Sequence, residues 1–520
     1  MNRLLVPGLA AMTLLCGCGP AGEEASGGMS SPLGCESLAS AAPPNTVIAS
    51  TAVVAAGAFV PPAGNFEPFP ADYSQLPAFC RVAGSIHPTA DSDIRFELWL
   101  PSAGWNGRFM QTGNGGAAGS LFLFGMIEPL MHGYAVAHTD TGHQGGGGDF
   151  SWVSGHPERL VDFQHRSLGE LTRVGKALTT AHFGTAPEQS LFMGCSTGGR
   201  QGLTVARYYP DDYDAIIAGA PANNTPALMS LAAVTEARIG PGGLPAEQLG
   251  LLKEAAIAAC DADDGLADRV IGDPGSCDFD PGSLLCTQTR TTDCLDASAV
   301  SAARELYAGL VNDAGETIYP GTGPGSEAAW AAFTSPGFRI GSNFIQHVVT
   351  QDPGWDPRTF DLERDLPRVR AATGPELAAD DPDLSAFFDH GGRLLMYHGS
   401  IDGLIPYGNS VNYHQGIVQA VGSEQAAAHT RFYLVPGMDH CAFGEGAWAV
   451  DWLGAMEAWL DSGAPPEALP AAHPAGAFGP PGTPPGKPFT RPACPWPLVA
   501  SYRGEGNPDD AASFVCAREH

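Results

Sequence analysis

The sequence predicts an α/β fold, a mainly parallel sheet with helices on both faces, interrupted by one large insertion. Between Asp93 and Ala222, short apolar runs ending in glycine-rich turns alternate with stretches of helical periodicity, the pattern of strand–helix units in a parallel sheet. From about Ala222 to His390 the pattern becomes short helices, many turns and four clustered cysteines, after which the strand signal resumes. The chain has 520 residues and is 44% hydrophobic and 16% charged, enough for a sizeable core in one large domain or two.

The elements follow in chain order. Residues 1–18 read as an export signal: Arg3, an apolar run too short to span a membrane, then small residues and cysteine. Leu15-Cys16-Gly17-Cys18 resembles a bacterial lipobox with Cys18 as the lipidated residue, although Cys16 stands where Ala, Ser or Thr is usual. The alternative is a plain secreted protein cleaved elsewhere. Residues 19–34 read as a flexible tether. IRFELWLP alternates like a half-buried strand, WNGRFMQTGNGG is a strand ending in a glycine-rich loop, and GYAVAHTDTGH is a strand running into a polar turn. Helical spacing marks Phe163–Phe183. SLFMGCSTGGRQGLTVARYYP reads as strand, tight turn and helix closed by Pro210, and DAIIAGAPA as a buried strand. GRLLMYHGSIDGLIP and RFYLVPGMDHC restore the strand pattern. The core is therefore expected from residues 35–221 and 391–520, with 222–390 inserted as a lid. Residues 463–492, rich in Pro and Gly, read as an extended connector.

Net charge is −30, from 56 acidic against 26 basic residues. That argues against nucleic-acid or anionic-membrane partners, which need basic patches; the only membrane contact expected is the lipid anchor. Export leaves ten cysteines after Cys16 and Cys18: Cys35, Cys80, Cys195, Cys260, Cys277, Cys286, Cys294, Cys441, Cys494 and Cys516. An even set in an oxidising compartment implies five disulfides. Close spacing favours Cys260–Cys277, Cys286–Cys294 and Cys494–Cys516 and leaves the other four unpaired by spacing.

The chemistry centres on Gly194-Cys195-Ser196-Thr197-Gly198, a G-x-S-x-G nucleophile elbow between a strand and a helix. Such a turn is too sharp for side chains beside the serine, and the helix after it aims N–H groups at a developing oxyanion. The acid and the base should follow in that order. Asp402 lies in a loop after the strand LLMY, and His440 after the strand RFYLV, so Ser196, Asp402 and His440 form the candidate triad. Asp439 is the alternative acid, and His398 and His414 read equally as core or surface residues. The oxyanion donors expected are the N–H of Thr197 and one from the GNGG loop, Gly116 with Gly115 next. If Ser196 and His440 are within hydrogen-bond reach, Cys195 and Cys441 meet the ~4.4–6.8 Å Cα separation of a disulfide, which would tie nucleophile loop to base loop.

Gly-Cys-Ser-Thr-Gly-Gly-Arg, Asp402 and His440-Cys441 together resemble the tannase and feruloyl esterase family, over nearly the whole chain from about Cys35 to Cys516. The resemblance implies an α/β-hydrolase core with an inserted lid. It also implies a serine carboxylesterase acting on small aromatic-acid esters: feruloyl, galloyl or terephthaloyl monoesters. A non-catalytic binding lipoprotein and an acyltransferase on the same fold are the alternatives. For CDADDGLADRVIGDPGSC, residues 260–277, the resemblance implies a structural Ca²⁺ site in the lid, on Asp261, Asp264 and Asp268 and the carbonyls of Leu266 and Val270. A cluster of hard oxygen donors suits that ion. Most lid aromatics (Trp330, Phe333, Phe338, Phe344, Trp355) are expected in the lid core; Arg339 is a candidate to bind a substrate carboxylate or phenol and reads equally as a solvated arginine, and Leu404 is a candidate for the pocket lining.

Overall fold

Apolar β-branched and aromatic runs lie side by side in one nine-stranded sheet in the computed structural model, which describes residues 32–62, 71–240, 242–476 and 486–518. The export signal, Cys18 and most of the tether lie outside the described residues. The strands are β1 (Thr46–Val54), β2 (Phe79–Ile86), β3 (Ile94–Pro101), β4 (Arg108–Thr112), β5 (Ala135–Thr139), β6 (Gln189–Cys195) and β7 (Ala215–Gly219). A small hairpin, β8 (Leu310–Val311) and β9 (Thr317–Tyr319), stands apart, and β10 (Arg393–Gly399) and β11 (Thr430–Val435) complete the large sheet. Its order is β1-β2-β3-β5-β4-β6-β7-β10-β11. β1, β2, β3 and β5 pair antiparallel, and from β5 onward every neighbour is parallel. Parallel neighbours require crossovers, here supplied by helices such as Ser167–Phe183 and Thr197–Tyr208.

β3 departs from its predicted half-burial: all but Arg95 are buried. The strand lies inside the sheet with both faces covered, and its one acid is neutralised there. Glu97 accepts hydrogen bonds from Arg81 Nε (2.8 Å) and Trp99 Nε1 (3.1 Å). The 463–492 connector also differs from expectation at its ends. Leu469–His473 and Phe489–Ala493 pair antiparallel beside Ala449–Val450, and Pro470 sits opposite Pro492, a pairing tolerated in a small outlying sheet.

After β7 the chain leaves the sheet and returns only at β10, and β8–β9 is the strand pairing described between them. The helix Thr225–Arg238 of this insertion packs Leu228, Met229 and Leu231 against Phe344, Ile345 and Val348, in a cluster that also takes in Phe150, Trp152 and Phe163. Insertion and core thus share buried apolar surface. All ten cysteines are paired: Cys35–Cys80, Cys195–Cys441, Cys260–Cys277, Cys286–Cys294 and Cys494–Cys516. Five disulfides place the chain in an oxidising compartment. Among the described residues, no helix is long and apolar enough to cross a membrane.

Candidate active site

Ser196 occupies the turn between β6 and the helix Thr197–Tyr208, with φ 64° and ψ −124°. A non-glycine residue with positive φ is strained and needs its surroundings to hold it. Its N–H donates to Gly219 O (3.0 Å), and its carbonyl accepts from Arg200 N (3.1 Å) and Ala222 N (3.0 Å). The small flanking residues are required: a Cβ on Gly194 would stand 2.7 Å from the Gly198 backbone, and one on Gly198 would stand 3.0 Å from Asn114 O. Arg200, fully buried one turn along, binds the carbonyls of Gln164 (3.1 Å) and Phe163 (3.3 Å) and anchors the helix.

The GNGG loop is locked to the same helix. Buried Asn114 and Gln201 exchange hydrogen bonds, Asn114 N to Gln201 Oε1 (2.9 Å) and Gln201 Nε2 to Asn114 Oδ1 (3.0 Å). Gly198 N donates to Asn114 O (2.6 Å) and Thr197 Oγ1 to Gly116 O (2.6 Å). Gly116 has φ +56°, and a Cβ there would lie 2.3 Å from Gly147 O. Thr197 opens its helix, so its N–H has no acceptor within that helix.

Asp402 follows β10 in a cradle of four donors. Oδ1 accepts from Leu404 N (2.8 Å) and Ile405 N (2.9 Å); Oδ2 accepts from His440 Nδ1 (2.6 Å) and His398 Nε2 (3.1 Å). Burial opposes its charge, but the charge of His440 and the hydrogen bonds of both imidazoles hold its carboxyl well below the usual carboxylate range. For His440, burial opposes the imidazolium, and the charge and hydrogen bond of Asp402, with Asp439 adding, outweigh it and raise the pKa. Asp439 bonds the base loop's backbone instead: its Oδ1 accepts the backbone N–H of His440 (2.7 Å). Burial, with Asp402 adding, pushes the Asp439 carboxyl up to about 6. His414 stands apart, its ring 5.7 Å from that of Phe432.

Ser196 and His440 line one cavity of 660 Å³ with Gly115, Gly116, Phe338 and Leu404. The Cys195–Cys441 disulfide, with Cα atoms 5.9 Å apart, joins their loops at its wall. Of the two lid-facing candidates, Leu404 lines this cavity. Arg339 does not: it is exposed before the helix Ile340–Phe344, attracted to Glu236. Trp330, Phe333 and Phe344 are buried in the insertion.

On the 260–277 loop, Asp261 Oδ1 accepts the N–H groups of Asp268 (3.1 Å) and Arg269 (2.6 Å), Asp264 Oδ1 that of Leu266 (3.0 Å), and Asp268 Oδ1 that of Val270 (3.1 Å). Asp268 Oδ2 pairs with Arg491 (2.7 Å). Among the described residues, no three acidic, histidine or cysteine side chains converge as they stand on a point that would hold a metal ion. The loop nonetheless offers oxygen donors alone, the chemistry a hard cation takes. Burial, with Asp268 and Asp261 adding, pushes the Asp264 carboxyl up to about 6.

Two polar devices carry no signature in the sequence. His398 reads as any strand histidine until the fold turns its Nε2 onto Asp402 Oδ2 (3.1 Å) and its Nδ1 onto Ser410 Oγ (2.8 Å). The Asn114–Gln201 exchange joins residues 87 apart; an amide inside a Gly-rich loop and another in the elbow helix were the only hint.

The profile of the family described as Tannase and feruloyl esterase matches residues 80–517. An uncharacterized esterase of Xanthomonas campestris is 34% identical over 93% of this chain and 91% of its own. The mono(2-hydroxyethyl) terephthalate hydrolase of Piscinibacter sakaiensis is 31% identical over 86% of each chain. The solved feruloyl esterase B of Aspergillus oryzae superposes with a TM-score of 0.84 at 29% identity, covering 93% of this chain and 99% of that one. The sheet with its inserted lid is thus an α/β-hydrolase-like fold, and the chain belongs to the tannase and feruloyl esterase family of carboxylic ester hydrolases.

Proposed function

We propose that the protein hydrolyses esters of aromatic acids through an acyl-enzyme on Ser196. The observation that carries this reading is the opening of Ser196 and an Asp402-bound His440 onto one cavity. With Nδ1–H committed to Asp402, the ring keeps the Nε2 lone pair for the serine proton. Ser196 Oγ bonds to the ester carbonyl carbon as its proton passes to His440, and the N–H groups of Thr197 and Gly116 receive the oxyanion. Collapse breaks the bond to the alcohol, which leaves with the proton from His440. Water repeats the sequence: it adds to the acyl carbon, His440 takes its proton and returns it to Ser196 Oγ, and the acid is released.

Phe122, Phe124, Phe338, Tyr397 and Phe443 line the cavity, surfaces on which an aromatic acyl group stacks. Relatives named feruloyl esterase and terephthalate monoester hydrolase support the same class. Ser196→Ala should lower kcat on methyl ferulate about a millionfold; a variant with wild-type turnover would sink the assignment.

A structural Ca²⁺ on the 260–277 loop is the second part of the proposal, supported by three carboxylates, Asp261, Asp264 and Asp268, on a turn-rich loop pinned by Cys260–Cys277. A ligand bound only by the folded chain stabilises it by about 2.7 kcal/mol at a hundredfold excess over Kd. Thermal melts in calcium should therefore lie above melts in EGTA, and Asp264→Asn should narrow the gap. Coincident melts, with no heat of calcium binding by calorimetry, would refute the site.

A further inference from the structure

The short helix Ile127–Met131 brings a carboxylate into the cavity that holds Ser196: Glu128 lines it, beside Phe122, Phe124 and Tyr397. Glu128 is an exposed residue, so its carboxylate is reached by solvent where it lines the cavity. Desolvation by the neighbouring protein raises its pKa above the usual carboxylate range; His132 opposes the shift, and Asp451 and Glu457 add to it. Among the described residues, no donor hydrogen-bonds its side-chain oxygens, and no lysine or arginine lines the cavity. A ligand that fills the cavity displaces water from this carboxylate, which costs free energy unless the ligand returns a donor. Nothing in the triad mechanism uses this group.

We propose that Glu128 is the specificity group of the cavity, accepting hydrogen bonds from hydroxyl groups of the bound ester and disfavouring esters that carry a free carboxylate. This rests on the aromatic-esterase reading and narrows it. A hydroxyl donor meets an acceptor with vacant lone pairs. A terephthalate monoester would set a second anion in the same cavity with no lining lysine or arginine to pair it. The donor has two sources, a phenol on the acid or a sugar hydroxyl on the alcohol, and the two are separable.

The test reads ratios of kcat/KM within one protein, so an overall loss of active enzyme cancels. Wild type should prefer methyl ferulate over methyl 3,4-dimethoxycinnamate, which lacks the phenolic hydrogen, if the acid carries the donor. It should prefer an arabinosyl ferulate over methyl ferulate if the alcohol does. Each preference is expected at about 10- to 100-fold. Glu128→Gln should bring the operative ratio towards one and raise the relative rate on mono(2-hydroxyethyl) terephthalate, while Glu128→Asp should recover part of the preference. Both ratios near one in wild type, or ratios unchanged in Glu128→Gln, would overturn the role of Glu128. Where the variants do not fold, the wild-type ratios decide. Wild type inert towards every ester, p-nitrophenyl acetate included, would instead overturn the esterase reading itself.

Discussion

At the scale of single residues, the site is built by placing charges rather than by supplying reactive groups. Asp402, with no exposed side-chain surface, spends both oxygens on four donors, and one of its two imidazole partners, His398, is itself fully buried. His440 keeps 19% of its side chain exposed, enough to meet substrate. Two carboxylates act on this ring: Asp402 through a hydrogen bond, Asp439 through space. The sign of the resulting pH dependence follows. The base is the neutral imidazole, and a raised pKa means that this form is lost as pH falls through a value above the ordinary 6.5. The acid limb of kcat/KM on a neutral ester should therefore lie above pH 6.5. Asp439→Asn removes one of the charges holding the proton and keeps the oxygen that accepts His440 N–H. The limb should then move to lower pH, with about a twofold higher rate near its former midpoint. Well below pH 6 the two proteins should converge, because Asp439 is itself protonated there. An unmoved limb would show that Asp439 does not act on the ring.

At the scale of elements, the tie between two loops is the device that the sequence made legible earliest. Cys195 and Cys441 are 246 residues apart and adjacent to the nucleophile and the base, and their pairing follows from the reach those two residues need. The strands from β3 onward, the elbow and the helix after it were equally readable, because each is a local pattern of spacing and small residues, whereas β1, β2 and the order of the strands in the sheet depend on distant pairing. What escaped reading was pairing between distant polar groups: Glu97 with Arg81 inside the sheet, Asn114 with Gln201, His398 with Asp402. Each is an ordinary residue type whose role exists only once the fold has closed. The disulfide itself closes a loop long enough for chain-entropy stabilisation of about 2–5 kcal/mol. Its local effect should exceed its global one, since Ser196, Cys441 and Phe443 all carry positive φ and rely on their surroundings. Cys195→Ala with Cys441→Ala should lower kcat by about tenfold or more, while far-UV circular dichroism keeps its folded signature. Full activity in the double variant would show that the loops hold their geometry without the bond.

At the scale of the whole molecule, substrate selection is set by surfaces that no single segment contains. The cavity draws its lining from the GNGG loop, the helix of Glu128, the lid residues Gly337 and Phe338, and the base loop at Ala442 and Phe443. Its composition was unreadable in sequence for that reason, and the lid arginine singled out there stands outside the lining while an unremarked glutamate stands within it. The long-range field acts in the same direction as that glutamate. A net charge of −30 gives the molecule a negative long-range field, which should lower the local concentration of anionic esters and leave neutral ones unaffected. Such a field is screened as the Debye length shrinks from about 30 Å at 0.01 M salt to about 10 Å at 0.1 M. Raising salt across that range should increase kcat/KM for mono(2-hydroxyethyl) terephthalate by about two- to fivefold. It should leave methyl ferulate, uncharged at neutral pH, within experimental scatter. Equal salt responses for the two esters would mean that the field of the molecule does not reach the cavity, and would leave its charge selection to the groups that line it.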